Sequence, residues 1–243
     1  MSLSEKTYSD FRLEVRNKGG HSARPVPNNA IYHLAGALYR LSTFPFPFQL
    51  NEVTRAYFQQ MAKIEKGEFA ADLAKVAEGS EEAMRKVGAM SPPMNAMMRT
   101  TCVATQLEAG HATNALPQLA VANVNCRVLP EDSVENVLEQ LKKVVADDQV
   151  KITIKTNEGR SPASPLRPDI LKAFARISDT MWPGVVTVPT MAVAGQMAGI
   201  WRAFRRTAFR EFSSIAMMPT LMDAMSECPP GRSMRAKHFC MSS

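Results

Sequence analysis

Three side chains in this 243-residue chain have both the type and the setting to do chemistry. His21 follows a double glycine in Gly19-Gly20-His21-Ser22-Ala23-Arg24-Pro25. Paired glycines free the backbone at a strand-to-helix turn and expose the imidazole that follows. Asn114 lies in the loop from Glu108 to Pro117, where an Asn before a proline is a turn former first and an amide donor second. Arg127 falls in the alternating stretch Gln118–Val128, on the polar face it shares with Asn123 and Asn125. A guanidinium fork on such a face suits a carboxylate ligand, and a surface salt bridge suits it equally. His33 reads as a surface or packing residue of a helix, and His111 as structural or solvated.

Metal chemistry has little to work with. The sequence holds no H-x-D and no HExxH, and its four scattered histidines do not build a two-metal site. Four cysteines are too few for a disulfide-dense scaffold. Cys102 and Cys126 are expected nearly opposite each other on neighbouring antiparallel strands, where a disulfide fits, although two core thiols are the expected state.

The elements that position these residues follow from periodicity. Phe11, Leu13 and Val15 alternate with Arg12, Glu14 and Arg16, which predicts a half-buried strand. Asn28 or Asn29 can cap a helix carrying the stripe Ile31, Leu34, Ala35, Leu38 and Leu41. Residues 45–97 read as an insert of two or three helices ended by Ser91-Pro92-Pro93. Two strands follow, 98–107 and 118–128. The second places Ala120, Ala122, Val124, Cys126 and Val128 on one face. Asp132-x-x-Glu135 resembles a capping box before a helical face of Val134, Val137, Leu138, Leu141 and Val145. Val150, Ile152 and Ile154 predict the last strand of the set. The order is β-α-insert-β-β-α-β, an α+β fold of the ferredoxin-like, split βαβ kind. A helix over 168–181 and a strand over 185–188 come after it, and residues 1–7 read as a polar leader or cloning remnant.

Composition narrows the class. The chain is 45% hydrophobic and 21% charged, and no apolar run approaches the roughly 20 residues that span a bilayer. The net charge of +6 would suggest an anionic partner, but residues 191–243 hold 7 Lys+Arg against 3 Asp+Glu and 8 of the 16 methionines. The basicity therefore belongs to one end, and neither nucleic acid nor membrane is the expected partner. RNA-recognition domains share the element order, but they need stacking aromatics on the central strands, where Phe11 is the one offered.

Gly-Gly-His-Ser-Ala-Arg-Pro followed by Asn28-Asn29-Ala30-Ile31-Tyr32-His33-Leu34 resembles the start of the lid, or dimerisation, domain of M20-type zinc peptidases. The stretch from Ala109 to Pro117 leading to Ala122–Pro130 resembles the same family's G-x-x-x-N-x-x-P and D-x-R-x-x-P motifs, with Asn125 where an acid is common. Val188–Met191 resembles the strand entering a later M-x-x-G-A-T-D segment. The resemblance implies a lid inserted into a two-zinc catalytic domain and paired as a homodimer. In such a dimer His21 steadies an oxyanion in the partner's site, and Asn114 and Arg127 hold a substrate carboxylate. The reaction implied is hydrolysis of an amide next to a free carboxylate, in a peptide or an N-acyl amino acid. Residues 8–157 would be the lid and 158–193 a piece of the catalytic domain. Most of the zinc ligands and the catalytic Glu would lie before residue 1, so the chain by itself is expected to bind no zinc and to be inactive. The alternative is a stand-alone dimerisation module without catalysis. The compartment stays open between cytoplasmic and periplasmic or secreted.

Residues 194–243 read as translated out of frame. Methionine has one codon, so shifting the frame forces Gly at Met197–Ala198, Asp at Met217–Met218 and Ala at Met218–Pro219. Freely chosen codons elsewhere reproduce a G-x-T-D segment and an H-G-x-D-E-R motif like the family's zinc-ligand segment. A genuine Arg-rich interaction tail is the rival reading.

Overall fold

The computed structural model describes residues 2–157, 159 and 162–193, so the out-of-frame expectation for 194–243 lies outside the described residues. The described residues are built on a four-stranded antiparallel sheet. Its strands are β2 (Thr7–Arg16), β4 (Thr101–Ala109), β6 (Leu119–Val128) and β7 (Lys151–Asn157), in the order β4-β6-β2-β7. Helix α1 (Ala30–Thr43) connects β2 to β4 by way of an insert, and α6 (Val134–Val145) connects β6 to β7. Each connection joins parallel strands with one strand lying between them, which is the split βαβ pattern.

The period-2 alternation decides which face is covered. Phe11, Leu13 and Val15 of β2 are completely buried, as are Ala120, Cys126 and Val128 of β6. They pack against Leu34 and Ala37 of α1 and Val137, Leu141 and Val145 of α6. Burying each large side chain of this cluster contributes about 1.5–3 kcal/mol. The helix caps are local. Asn29 Oδ1 accepts from Ile31 N–H at 2.9 Å. Helix α6 is capped by Ser133, which accepts from Asn136 N–H at 3.0 Å, and not by Asp132 as the capping-box reading expects. Asp132 instead braces the cap by accepting from Ser133 N–H and Asn136 Nδ2.

The insert has four helices rather than two or three: α2 (Glu52–Ile64), α3 (Gly67–Glu78), α4 (Glu81–Met90) and α5 (Pro92–Met98). Ser91 ends α4 and also caps α5, with Pro92 and Pro93 in the first turn, where no N–H is needed. Those prolines therefore begin a helix as well as ending one. The insert has its own core around Phe58, Leu73, Val76, Val87 and Met98.

Three further expectations change. Residues 2–6 are not a loose leader. β1 (Ser2–Glu5) pairs in parallel with β8 (Thr190–Ala192), and Lys6 is 1% exposed. Its ammonium donates to Ala96 O at 2.9 Å, Arg99 O at 2.8 Å and Thr101 Oγ1 at 3.2 Å. The last strand lies at 190–192 rather than 185–188, and Val185 and Val186 are exposed. Cys102 and Cys126 are joined as a disulfide instead of standing as thiols. They face each other at a directly paired position of β4 and β6, which brings the two sulfurs together. Helix α7 (Pro168–Met181) forms where its periodicity places it.

Candidate functional site

Past the end of the β2–β6 ladder the two strands continue into a short ribbon. There β3 (Gly20–His21) pairs with β5 (Ala115–Leu116). Gly19 has φ +75°, and a Cβ on it would stand 2.5 Å from Gln118 Cγ. Glycine at position 19 is therefore required by its left-handed backbone and by the close approach of the Gln118 side chain. The ribbon sets His21 opposite Ala115, and Ser22 N–H donates to Asn114 O at 2.9 Å. His21 and Asn114 are thus neighbours, and both are exposed.

The imidazole is oriented by its own turn. His21 Nδ1 accepts from Ala23 N–H at 3.1 Å, so the neutral ring carries its proton on Nε2. That leaves Nε2–H as the donor the ring offers outward, the polarity an oxyanion needs.

Arg127 is not part of this end. It lies eight residues along β6 from Leu119, where the β2–β6 ladder ends on the ribbon side, or roughly 27 Å at a strand's rise per residue. It points to the sheet face away from the helices, directly opposite Tyr8 in β2. Its guanidinium carbon sits 4.6 Å from the centre of the Tyr8 ring. Beside it Asp10 Oδ1 accepts from Asn125 Nδ2 at 2.9 Å and Asn123 Nδ2 at 3.0 Å, and Asp10 Oδ2 accepts from Tyr8 OH at 2.7 Å. Asp10 is 8% exposed, and burial pushes its carboxyl up. The hydrogen bonds from Asn125, Tyr8 and Asn123, with the charge of Lys155, outweigh burial and hold the carboxyl below its ordinary value.

The sequence reading omits Tyr8 and Asp10 because it starts the strand at Phe11. The same alternation carried back would have placed both on Arg127's face, but Thr7 and Ser9 are polar on the core side and hide the period. His33 pairs with Asp147, Nδ1 to Oδ2 at 2.7 Å, and so clasps α1 to the end of α6 as a packing residue. His111 is exposed. Among the described residues no group of three or more His, Cys, Asp or Glu side chains could hold a metal ion, so these residues do not themselves fit a zinc site. No helix among them is long and apolar enough to cross a membrane.

Residues 3–153 match the peptidase dimerisation domain of the M20 peptidases. The chain is 30% identical over 201 residues to the N-fatty-acyl-amino acid synthase/hydrolase PM20D1 of Mus musculus, covering 80% of this chain and 39% of that protein. It is 31% identical over 200 residues to the probable carboxypeptidase S-like 2 of Dictyostelium discoideum, covering 80% and 37%. The chain thus spans less than two fifths of the length of these relatives. The M20 family metallo-carboxypeptidase Sso-CP2 of Sulfolobus solfataricus superposes with a TM-score of 0.51 at 17% identity, over 82% of this chain and 48% of that one. Human carnosine dipeptidase 1 superposes with a TM-score of 0.51 at 13% identity, over 84% and 47%. At these identities the two structures speak for the fold.

Proposed function

The chain belongs to the M20 peptidase family, and on that premise we propose that it is the lid of a zinc-dependent hydrolase that cleaves an amide next to a free carboxylate. The names of the two relatives, an N-fatty-acyl-amino acid synthase/hydrolase and a probable carboxypeptidase, support this substrate class. His21 donates Nε2–H to the developing oxyanion, while Asn114 and Arg127 receive the substrate carboxylate. Zinc, held by residues outside those described, supplies the activated water when bound.

The observation that carries the reading is the separation within one copy. His21 and Asn114 lie at one end of the sheet and Arg127 at the other, so a site using all three draws on two copies. Edge strand β4 offers the means. Its outer edge is unpaired among the described residues, with Val103 61% and Leu107 63% exposed. Antiparallel pairing of two β4 strands reverses direction across a two-fold axis. It brings the His21 end of one copy level with the Arg127 end of the other on one continuous face. The chain by itself turns over no substrate in this reading, and neither nucleic acid nor membrane is a partner. The Cys102–Cys126 bond favours a periplasmic or secreted site over the cytoplasm.

Sedimentation equilibrium tests the dimer. The chain is expected to be dimeric at micromolar concentration and Leu107→Arg monomeric, and a monomeric wild type would overturn the reading. Metal analysis after dialysis against zinc, with an N-acyl amino acid hydrolysis assay, tests the division of labour. Stoichiometric zinc with turnover in this chain would contradict it. We also carry the out-of-frame origin of residues 194–243 as part of the reading. Sequencing the coding DNA across codon 193 is expected to show the H-G-x-D-E-R codons in the shifted frame, and a stop codon there would end the idea.

A further inference from the structure

The geometry points to Tyr8 and Asp10 as positioning residues for Arg127: Asp10 ties down the Tyr8 hydroxyl, and the Tyr8 ring forms the floor on which the Arg127 guanidinium lies. Resting on the reading of Arg127 as the carboxylate receiver, this assigns two further residues to that task.

Three observations converge. Tyr8 and Arg127 are directly paired across β2 and β6, so the ring and the guanidinium share one face by register. The guanidinium carbon, at 4.6 Å from the ring centre, is within cation–π range, so the ring face and the planar fork attract each other. Finally, the ring is itself fixed. Its hydroxyl donates to Asp10 Oδ2 at 2.7 Å, and the other oxygen of that nearly buried carboxylate is held by two amides, from Asn123 and Asn125. Tyr8 therefore cannot swing away from Arg127 without breaking a charge-assisted hydrogen bond.

The same network accounts for Asn125. It stands directly opposite Asp10 in the β2–β6 ladder, and its amide donates across the pair. An acidic residue there would set two carboxylates face to face on a directly paired position. In this chain the acid beside the arginine is supplied from β2, and Asn125 is the residue type compatible with it.

Arg127 is half-buried, and whatever rotamer freedom its long side chain keeps is lost on binding at a cost in affinity. A fixed aromatic floor removes part of that cost before the ligand arrives. The test uses the full chain labelled with nitrogen-15 and follows the Arg127 Nε–Hε signal together with binding of N-acetyl-phenylalanine and its C-terminal amide. Tyr8→Leu is expected to weaken N-acetyl-phenylalanine binding about five- to tenfold and to leave amide binding unchanged. Its Arg127 order parameter is expected to fall from a rigid value to below about 0.6. Tyr8→Phe and Asp10→Asn keep the ring and release its tether, and are expected to give the same changes at smaller size. Tyr8→Phe removes a single oxygen, so it keeps the test open should Tyr8→Leu fold poorly. An Arg127 signal as rigid in both Tyr8 variants as in wild type would overturn the proposal. Arg127→Ala is the separate control on the underlying reading. Unchanged N-acetyl-phenylalanine binding in that variant overturns the carboxylate assignment, and the order parameters still decide whether Tyr8 positions the arginine.

Discussion

At the scale of single residues, Gly19 is the position with least freedom to vary. A methyl group there meets Gln118 Cγ at 2.5 Å on a backbone with φ +75°. Gly19→Ala is therefore expected to cost about 1–2 kcal/mol in urea denaturation. It is also expected to displace the β3–β5 ribbon, seen as a shift of the His21 ring signals. The double glycine and His21 were legible because residue types of extreme conformational or chemical character announce themselves. The Tyr8–Asp10–Arg127 arrangement was not. It depends on which residues of β2 and β6 stand opposite each other, and a lone strand's alternation does not contain that register. Arg127 was visible as a candidate, but the sequence left a salt bridge and a ligand fork equal because neither the ring nor the carboxylate beside it was in view.

Among elements, strands read best where one face is dry. β6 and β2 from Phe11 onward keep the alternation because α1 and α6 cover one side, whereas β4 is exposed along most of its length and its sequence blurs. Helix junctions read worst. Ser91 serves two helices at once, and Ser133 displaces Asp132 as the cap of α6, choices settled by tertiary direction rather than propensity. The disulfide was underrated because thiols and a bridge occupy nearly the same core volume, and sequence spacing does not set the state of the sulfurs. It ties edge strand β4 to central strand β6 across 24 residues of chain. Removing that cross-link, by dithiothreitol or by Cys126→Ser, is expected to lower stability by about 2–4 kcal/mol. Differential scanning calorimetry of oxidised and reduced protein measures it, and equal transition temperatures would show that the bridge contributes nothing.

For the molecule as a whole, the junction at Lys6 governs how the parts hold together. Its ammonium is buried against the end of α5 and the start of β4. Burial, with the charge of Arg127 as a second cause, lowers its pKa from 10.5 to about 7. The folded-state pKa lies below the unfolded one, so the unfolded chain binds more protons between these values and stability rises with pH from about 7 towards 10. Guanidine denaturation at pH 7 and pH 9.5 is expected to show a gain on the order of 1–3 kcal/mol, absent in Lys6→Met. The same junction has a wider meaning. Ser164 N–H donates to Leu3 O at 2.9 Å, and Lys6 N–H donates to Ala192 O at 3.0 Å. The chain thus departs from and returns to one spot, and everything between is a closed excursion whose ends touch. On the proposed reading, a host polypeptide interrupted at that spot carries an excursion whose folded ends already meet, and the closure cost grows only slowly with its length. On that proposed reading, the lid is therefore a cassette. It can be lengthened by helices such as α2–α5, exchanged for another of equal footing, or cut out and bridged by a few residues while the host keeps its own geometry.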